Sequence, residues 1–336
     1  KLDLEAIRSG PTSMWRYGKA IPIDRGHVVS YDEGLTPLTQ ARVGGHTVWI
    51  KQENLFPTGS FKDRGASVLI SKARELDVRR VVEDSSGNAG AAVAAYAARA
   101  EIDCDIYVPE STSPAKLTQI QMYGATLHRV PGSREDTARA VREAAESTFY
   151  ASHVWNPYFF HGTKTFAYEV WEQLGCRTPD VLIVPTGHGT LLMGAYLGFS
   201  DLLRCGCITN LPRLVAVQAS ACAPLHRLWS GDAHPQAEKA SCSTIAEGIA
   251  IAEPTRASQI LDAVRHTGGQ VVTVTDEEVE SALTGFCRGG WYIEPTSATA
   301  LAGLSKSEIG EDETVVVPLT GHGLKSTEKL IKLAAS

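Results

Sequence analysis

Lys62 is the residue of this sequence whose type and surroundings point most specifically to a chemical role. It lies in the segment 57–65, P-T-G-S-F-K-D-R-G, next to Asp63 and Arg64. A lysine amine can form an imine with a carbonyl group, although an isolated lysine at the start of a helix is usually only solvated. The imine interpretation requires a second site that would bind the rest of a carbonyl compound.

A glycine-rich turn at 186–191, T-G-H-G-T-L, supplies such a site. It follows the apolar segment DVLIVP and precedes a helical pattern, so its N–H groups and the helix dipole can bind an anion. The residues that contribute these groups are Gly187, His188, Gly189, Thr190 and Leu191. The turn matches neither the dinucleotide fingerprint nor the nucleotide P-loop, and a plain strand-to-helix turn would look the same. A lysine together with a phosphate-binding turn suggests pyridoxal 5'-phosphate as the cofactor.

These turns belong to a regular alternation of strand and helix patterns that begins at residue 78. Predicted strands cover 78–84, 103–110, 125–132, 180–187, 213–220, 270–276 and 313–321. Predicted helices cover 88–100, 113–124, 133–147 with Ser133 as N-cap, 164–175, 188–203, 257–268, 277–290 and 296–307. Such alternation predicts α/β units with parallel sheets covered by helices. Ligands of these folds bind beyond the carboxyl ends of the strands, where the glycine-rich turns lie.

Five motifs together resemble one enzyme family. They are N-L-F-P-T-G-S-F-K-D-R-G at 54–65, S-S-G-N-A-G at 85–90, the turn at 187, E-P-T-S-A-T-A-L-A-G-L at 294–304 and L-T-G-H-G-L-K at 319–325. Their order and spacing are similar to those of threonine synthase-like enzymes in the fold type II (tryptophan synthase beta-like) group of pyridoxal phosphate enzymes. The block around Lys62 is specific, whereas each of the other motifs alone would be weak.

The resemblance implies a fold of two three-layer α/β domains with mainly parallel sheets and an active site in the cleft between them. Residues 1–68 with 160–336 would form the large cofactor-binding domain, and 69–159 a smaller, mobile domain. The same resemblance implies two partners: a small amino-acid substrate that is phosphorylated in some members, and a second copy of the chain in a homodimer.

The resemblance also implies roles for individual residues. Lys62 would hold the cofactor as a Schiff base and move protons at the substrate carbons, and Asn88 would hydrogen-bond the phenolic oxygen of the cofactor. The substrate carboxylate would be bound at the S-S-G-N-A turn by Ser85, Ser86 and Ala89. The turn at 187–191 would hold the cofactor phosphate. Thr320 would lie beside the pyridine nitrogen, where a neutral hydroxyl would make the ring a milder electron sink than a carboxylate partner would.

Three departures from the family pattern concern the substrate. Phe56 and His188 each stand where the family usually has Asn, and the segment 244–251, T-I-A-E-G-I-A-I, is similar to threonine and serine dehydratases. A threonine synthase must also bind the phosphate of O-phosphohomoserine. The candidates for that role are Lys51, Lys116 and Lys164, although an ordinary surface lysine is the commoner case for each of them.

Two enzymatic activities are therefore open, together with one alternative from another class. The leading one is γ-elimination and β-addition of water on O-phosphohomoserine, which gives threonine and phosphate. The second is β-elimination from threonine or serine, or β-replacement on another amino acid. A catalytically silent binding protein is the third, but the presence of Lys62, Asn88 and the phosphate turn together argues against it.

Composition limits the class of protein. The chain has 336 residues, of which 43% are hydrophobic and 21% charged, and its net charge is -6. This charge argues against nucleic-acid binding, which requires clustered Lys and Arg. No apolar stretch approaches 18 residues, so we expect no membrane association and a cytoplasmic location.

The cysteines suggest neither a disulfide framework nor a metal site. The chain has seven of them, an odd number, without C-x-x-C spacing, which predicts scattered reduced thiols. Cys205, Cys207, Cys222 and His226 match no familiar zinc pattern, so no metal is expected.

Overall fold

The computed structural model describes residues 4–132, 134–231 and 242–334. The described chain divides into two compact units, Lys1–Leu35 with Phe56–Thr165 and Thr36–Leu55 with Phe166–Ser336. No helix among the described residues is both long and apolar enough to cross a bilayer.

The α-helices and β-strands alternate along most of the chain. The strands are β1 Leu38–Val43, β2 His46–Lys51, β3 Arg80–Glu83, β4 Asp103–Pro109, β5 Thr126–Val130, β6 Phe149–Tyr150, β7 Val181–Pro185, β8 Arg213–Ala219, β9 Gln270–Val274 and β10 Val315–Pro318. The helices are α1 Leu4–Arg8, α2 Lys62–Glu75, α3 Asn88–Arg99, α4 Pro114–Met122, α5 Arg134–Ala145, α6 Pro157–Thr163, α7 Thr165–Gln173, α8 Thr190–Arg204, α9 Pro224–Ser230, α10 Ala257–His266, α11 Asp276–Arg288, α12 Pro295–Gly303 and α13 Thr327–Ala334. This alternation confirms the predicted α/β class.

The first unit contains a four-stranded sheet in the order β5-β4-β3-β6, and all of its strand pairs are parallel. The alanine-rich helix α3 is almost completely buried against it. Small side chains let such a helix approach the sheet closely, and at Gly90 an added Cβ would lie 1.8 Å from the carbonyl oxygen of Ser85. The turn before α3 is therefore pressed against the first turn of the helix.

The second unit contains a six-stranded sheet in the order β1-β2-β10-β7-β8-β9. Its central strands are parallel, and β7 is buried along its whole length, as expected for a sheet covered on both faces. β1 and β2 form an antiparallel hairpin on one edge. The two-residue turn between them has positive φ at both Gly44 and Gly45, the conformation that matches the twist of a hairpin.

The predicted strands and helices from residue 78 onward are present, whereas the hairpin of β1 and β2 and the short strand β6 were not predicted. The expected N-cap Ser133 lies outside the described residues. The predicted domain boundaries stay a prediction. The compact units divide the chain differently, since they place residues 1–35 and 56–68 in the first unit. A physical reason is the close packing of α2 with α3 and α6 within that unit.

The expectation of reduced thiols is wrong for two of the seven cysteines. Cys222 and Cys242 form a disulfide in the second unit, 20 residues apart in sequence. The other five cysteines lie outside any disulfide in the described part of the chain. Spacing alone did not indicate this pair, because it is the fold after β8 that brings the two residues together. The bond also removes Cys222 from the set of zinc ligands that we considered.

Candidate active site

Lys62, in the first unit, is the first residue of α2 and is half-buried. Its Nζ atom lies 5.0 Å from the ring centroid of Phe61 and 5.6 Å from that of Phe159. Aromatic faces attract a cationic amine and at the same time limit its hydration. The amine is thus placed in partly apolar surroundings, which is a suitable environment for a reactive lysine.

The residues around Lys62 fix the start of α2. Asp63 is fully buried and accepts hydrogen bonds from the backbone N–H of Thr58, at 2.9 Å, and from its hydroxyl. Arg64 is also fully buried and donates to the Thr165 hydroxyl at 2.9 Å. The charged residues that follow Lys62 are therefore structural, and they orient the helix that carries the amine.

Phe56, the first departure from the family pattern, has a packing role in the structure. Its ring is buried, and the guanidinium carbon of Arg64 lies 4.9 Å from the ring centroid. This cation–π contact covers the buried charge of Arg64 on one side. Local packing thus accounts for a phenylalanine at this position.

Gly65 and Gly162 allow α2 and α6 to approach each other closely. A Cβ added at Gly65 would lie 2.4 Å from the ring of Phe159, and one at Gly162 would lie 1.9 Å from the carbonyl oxygen of Arg64. Any larger residue would push Phe159 away from Lys62. The final glycine of P-T-G-S-F-K-D-R-G is therefore explained by the packing beside the lysine.

The S-S-G-N-A turn connects β3 to α3 in the same unit. Ser85, Ser86 and Asn88 are half-buried and Ala89 is buried. No side-chain hydrogen bond caps the helix start at Gly87 among the described residues, so backbone donors at this end of α3 are available to a carboxylate. This geometry is consistent with the expected role of the turn.

Two polar pairs next to this turn, one buried and one partly buried, were missed by the sequence analysis. The Oε1 atom of Glu83 lies 2.7 Å from Nδ1 of His153, and the Tyr150 hydroxyl donates to Asp84 at 2.8 Å. Burial raises the pKa of Tyr150, and the charges of Asp84 and Glu83 raise it further. The consecutive acids Glu83 and Asp84 before Ser85 are the sequence signal that could have indicated these pairs.

The turn at 186–191 lies in the second unit, between β7 and α8. Gly189 has φ of +70°, and a Cβ there would lie 2.4 Å from the side chain of Ile260. Thr190 and Leu191 are buried, whereas His188 is partly exposed. No side-chain hydrogen bond caps the start of α8 in the described part of the chain, so its first N–H groups are available to an anion.

The segment 244–251 packs directly against this turn. A Cβ added at Gly187 would lie 2.9 Å from both Cα of Ile249 and Cγ1 of Ile251. The segment is anchored by Asp276, which accepts from the N–H of Ile245 at 3.1 Å, and by Lys329, whose Nζ donates to the carbonyl oxygen of Ile245 at 3.1 Å. The dehydratase-like motif is thus a neighbour of the predicted phosphate site.

Gln218, at the end of β8, connects the turn to the next element. It is fully buried, and its Nε2 donates to the carbonyl oxygen of Thr186 at 3.1 Å. Its Oε1 accepts from the N–H groups of Leu225 at 2.9 Å and His226 at 3.1 Å. Gln218 therefore holds the residue before Gly187 in place. No sequence pattern indicates this role, since the side chain bridges segments that are distant along the chain.

Thr320, also in the second unit, lies in a buried network of three side chains. Its hydroxyl donates to Oε1 of Glu294 at 2.9 Å and lies 3.1 Å from the hydroxyl of Ser297. His322, which follows in the same motif, accepts from the N–H of Leu324 at 3.2 Å and caps a short 3₁₀ helix. Sequence analysis identified Thr320 but not its two polar partners.

The three lysines proposed for a substrate phosphate have different environments. Lys51 is fully buried, and its Nζ donates to Glu169 at 2.7 Å, to the Thr36 carbonyl at 2.6 Å and to Gln173 at 2.9 Å. Because an ammonium group has three protons, these partners use all of them. We therefore assign Lys51 a structural role instead of phosphate binding.

Lys116 and Lys164, both in the first unit, stay predictions as phosphate ligands. Lys116 is exposed on α4, where a solvated amine is the ordinary arrangement. Lys164 is buried at the end of α6. Of the three candidates, only Lys116 has an exposed side chain.

The residues present fit a phosphorylated aldehyde cofactor. In the first unit, the half-buried Lys62 is an amine of the kind that binds an aldehyde. In the second unit, the uncapped start of α8 has N–H groups of the kind that bind a phosphate. Gly187 and Gly189 leave no space for side chains, so their backbone can approach a ligand closely.

Comparisons with known proteins agree with this fit. Residues 29–321 match the family described as pyridoxal-phosphate dependent enzyme. The threonine synthase of Methanocaldococcus jannaschii is 35% identical over 99% of this chain and 85% of its own length. That of Methanosarcina acetivorans is 34% identical over 98% of this chain and 84% of its own length.

Solved structures show the same fold. A threonine deaminase from T.th. has a TM-score of 0.72 and 25% identity, covering 86% of this chain and 92% of its own. An L-serine ammonia-lyase from the fungus Rhizomucor miehei has a TM-score of 0.76 and 21% identity, covering 90% and 98%. These similarities confirm the predicted fold type II architecture.

Proposed function

The chain belongs to the pyridoxal-phosphate dependent enzymes, and we propose that within this family it converts O-phosphohomoserine and water to threonine and phosphate. The observation that carries this proposal is the identity of 34–35% with threonine synthases over nearly the whole chain. In this reaction the Cγ–O bond breaks and phosphate leaves with the bonding electrons, Cβ loses one proton and Cγ gains one. The hydroxyl of water is then added at Cβ, and the remaining proton of that water balances the released phosphate.

The cofactor, when bound, would withdraw electrons from the substrate carbons so that protons can leave them. Lys62 would hold the cofactor and then accept and return the protons at the substrate carbons. The ring centroids of its aromatic neighbours Phe61 and Phe159 lie 5.0 Å and 5.6 Å from Nζ, and these rings limit the hydration of the amine.

The other residues of the first unit would bind the substrate and orient the cofactor. The backbone donors at the start of α3, with Ser85, Ser86 and Ala89, would bind the substrate carboxylate, and Asn88 would contact the phenolic oxygen of the cofactor. In the second unit, residues 187–191 would bind the cofactor phosphate and Thr320 would contact the pyridine nitrogen. A homodimeric assembly and a cytoplasmic location stay predictions.

A second candidate function is β-elimination from a hydroxy amino acid. Two observations favour it: the saturated ion pair of Lys51 removes one candidate ligand for a substrate phosphate, and the dehydratase-like segment 244–251 packs against Gly187. A dehydratase requires no contacts to a substrate phosphate, so it could use the same cofactor site with fewer basic residues.

One experiment separates the two functions. The purified, cofactor-loaded protein is incubated with O-phosphohomoserine, threonine or serine, and the release of phosphate, ammonia and 2-oxo acid is measured separately. We expect phosphate and threonine from O-phosphohomoserine, with little 2-oxo acid from the other two substrates. Rapid deamination of threonine or serine without turnover of O-phosphohomoserine would establish the second function instead.

A further inference from the structure

The disulfide between Cys222 and Cys242 has no role in the proposed reaction. Cys222 is fully buried at the end of the short 3₁₀ helix that follows β8, whereas Cys242 is partly exposed. Disulfides persist in oxidising compartments, and in reducing compartments they are usually transient and redox-sensing. The bond is therefore a site at which the chemical surroundings of the protein can change its structure.

One end of the disulfide lies in a segment that supports the turn at 186–191. Cys222 lies between Gln218 and Leu225, and the Oε1 atom of Gln218 accepts from the N–H of Leu225 at 2.9 Å. The Nε2 atom of the same side chain donates to the carbonyl oxygen of Thr186 at 3.1 Å. Cys222 is thus enclosed by the residues that hold the first residue of this turn.

The other end of the disulfide leads into the second segment that contacts the turn. Cys242 comes two residues before the start of the segment 244–251. The Cα atom of Ile249 in this segment would lie 2.9 Å from a Cβ added at Gly187. Ile249 and Ala219, the last residue of β8, also belong to one small buried cluster. The disulfide therefore joins the two segments between which the turn is supported.

We propose that Cys222 and Cys242 form a redox-modification site whose reduction by a dithiol weakens cofactor binding. The inference goes beyond the proposed function and rests on it in one respect, the binding of the cofactor phosphate by residues 187–191. Reduction removes a cross-link that limits the relative motion of the two supporting segments. The N–H groups of the turn are then held less firmly for an anion.

The reduction is a thiol–disulfide exchange. A thiolate of the dithiol attacks Sγ of the partly exposed Cys242, and the electron pair of the broken S–S bond passes to Sγ of Cys222, which takes up a proton. The second thiol of the reagent then attacks the mixed disulfide and releases Cys242 as a thiol. The dithiol is thereby oxidised to a disulfide, and the disulfide of the protein is reduced to a pair of thiols.

Reduction should loosen the segment 244–251 without releasing it. Asp276 accepts from the N–H of Ile245 at 3.1 Å, and the Thr296 hydroxyl accepts from the N–H of Gly248 at 3.1 Å. Neither hydrogen bond involves a cysteine, so both remain after reduction. We therefore expect a weaker cofactor site in a protein that is still folded.

The first test titrates the oxidised and the reduced apoprotein with pyridoxal 5'-phosphate, after the dithiothreitol used for reduction has been removed under nitrogen. Coupling between two sites typically changes affinity roughly 5- to 150-fold, and we expect the dissociation constant to rise within this range on reduction. Denatured samples should contain five thiols before reduction and seven after it. Because such coupling is reciprocal, bound cofactor should shift the equilibrium with dithiothreitol towards the protein disulfide by the same factor.

Two variants separate this bond from the other cysteines. Cys242→Ser removes the bond and leaves the buried Cys222 side chain in place. Its dissociation constant should equal that of the reduced natural protein and should not respond to dithiothreitol. Cys205→Ser is the matched control, because Cys205 lies in the same unit and outside any disulfide, and it should respond to dithiothreitol as the natural protein does.

Hydrogen exchange of the apoprotein separates this inference from the proposed function, because it requires neither cofactor nor substrate. Reduction should speed the exchange of N–H groups in 187–191 and 244–251. Unchanged exchange in both segments, equal dissociation constants of the two redox forms, or seven thiols in protein purified without reductant would each overturn the inference. These comparisons require no variant, so they stand if Cys242→Ser fails to fold. Turnover of an amino acid other than O-phosphohomoserine would refute the proposed reaction and leave this inference standing.

Discussion

Replacing Gln218 by Met should weaken cofactor binding, although we assign Gln218 no direct contact with the cofactor. Methionine has a similar length but cannot make the hydrogen bonds of the amide. The change leaves the carbonyl oxygen of Thr186 and the N–H groups of Leu225 and His226 without their partner. Because Thr186 immediately precedes Gly187, the turn would lose one of the hydrogen bonds that hold it in place.

The magnitude follows from the burial of these groups. A buried polar group left without a partner costs about 1–3 kcal/mol, and both Thr186 and Gln218 are fully buried. His226 is only half-buried, so water can replace its bond and we leave it out. The two remaining bonds, to Thr186 and Leu225, give a loss of stability of about 2–6 kcal/mol.

Part of this loss should appear as weaker binding of the cofactor. In the variant, the cofactor has to order the turn without the hydrogen bond to the Thr186 carbonyl oxygen. If the loss of that bond, about 1–3 kcal/mol, is taken from the binding free energy, the dissociation constant rises roughly 5- to 150-fold. The dissociation constant is measured by titrating the apoprotein with pyridoxal 5'-phosphate and following its absorbance. Urea unfolding of the apoprotein measures the loss of stability separately.

Gln270 provides a matched control on the neighbouring strand β9. Its Nε2 is buried and has no hydrogen-bond partner among the described residues, so Gln270→Met removes an amide without breaking such a bond. We expect this variant to bind the cofactor as the natural protein does. Equal dissociation constants for the two variants would refute the role of Gln218 in positioning the turn.

Four further predictions test other parts of the structure. Borohydride reduction of the cofactor-loaded protein followed by peptide mapping should find the pyridoxyl group on Lys62, and its recovery on another lysine would exclude this assignment. Gly187→Ala places a Cβ 2.9 Å from the Cα of Ile249, so overpacking of about 1–3 kcal/mol should raise the cofactor dissociation constant, and an unchanged constant would contradict the close packing. Lys51→Met leaves a charge buried at Glu169 and should lower the free energy of unfolding in urea by about 3–5 kcal/mol while the release of phosphate from O-phosphohomoserine remains measurable. Reduction of the disulfide between residues 222 and 242, which closes a loop of 20 residues, should lower the urea midpoint by an amount equivalent to about 3 kcal/mol, and identical midpoints with and without reductant would argue against the bond.

The alternation of elements could be predicted from sequence because the signals are local. β7 is a continuous apolar run bounded by turn residues, and α3 is rich in alanine. β6 has only two residues, Phe149 and Tyr150, which is too short to produce a recognisable pattern. The hairpin of β1 and β2 was missed although Gly44 and Gly45 mark its turn, because polar residues interrupt both of its strands.

Some residues of the candidate site could be predicted from local motifs, whereas others depend on contacts between distant parts of the chain. Lys62 and the turn at 187–191 have motifs that are visible in a few consecutive residues. Gln218 contacts residues on two other segments, and the ion pair of Lys51 with Glu169 spans 118 residues. These contacts depend on how the strands and helices pack, so a Gln or Lys in the sequence does not by itself indicate which residues it will contact. For this reason Lys51 looked like a candidate ligand and is part of the core.

The two T-G-H-G tetrapeptides show that partners determine what a motif does. In the first, the Thr186 hydroxyl donates back to the carbonyl oxygen of Val184 at 2.9 Å, and the backbone of the turn is held by Gln218. In the second, the hydroxyl of Thr320 donates to the buried carboxylate of Glu294. The first threonine hydroxyl is therefore engaged by its own strand, whereas the second is engaged by a side chain from the N-terminal end of α12. In the roles that we propose, the first motif would serve a phosphate and the second a ring nitrogen, and the different partners of the two threonines are what would allow identical residues to do so.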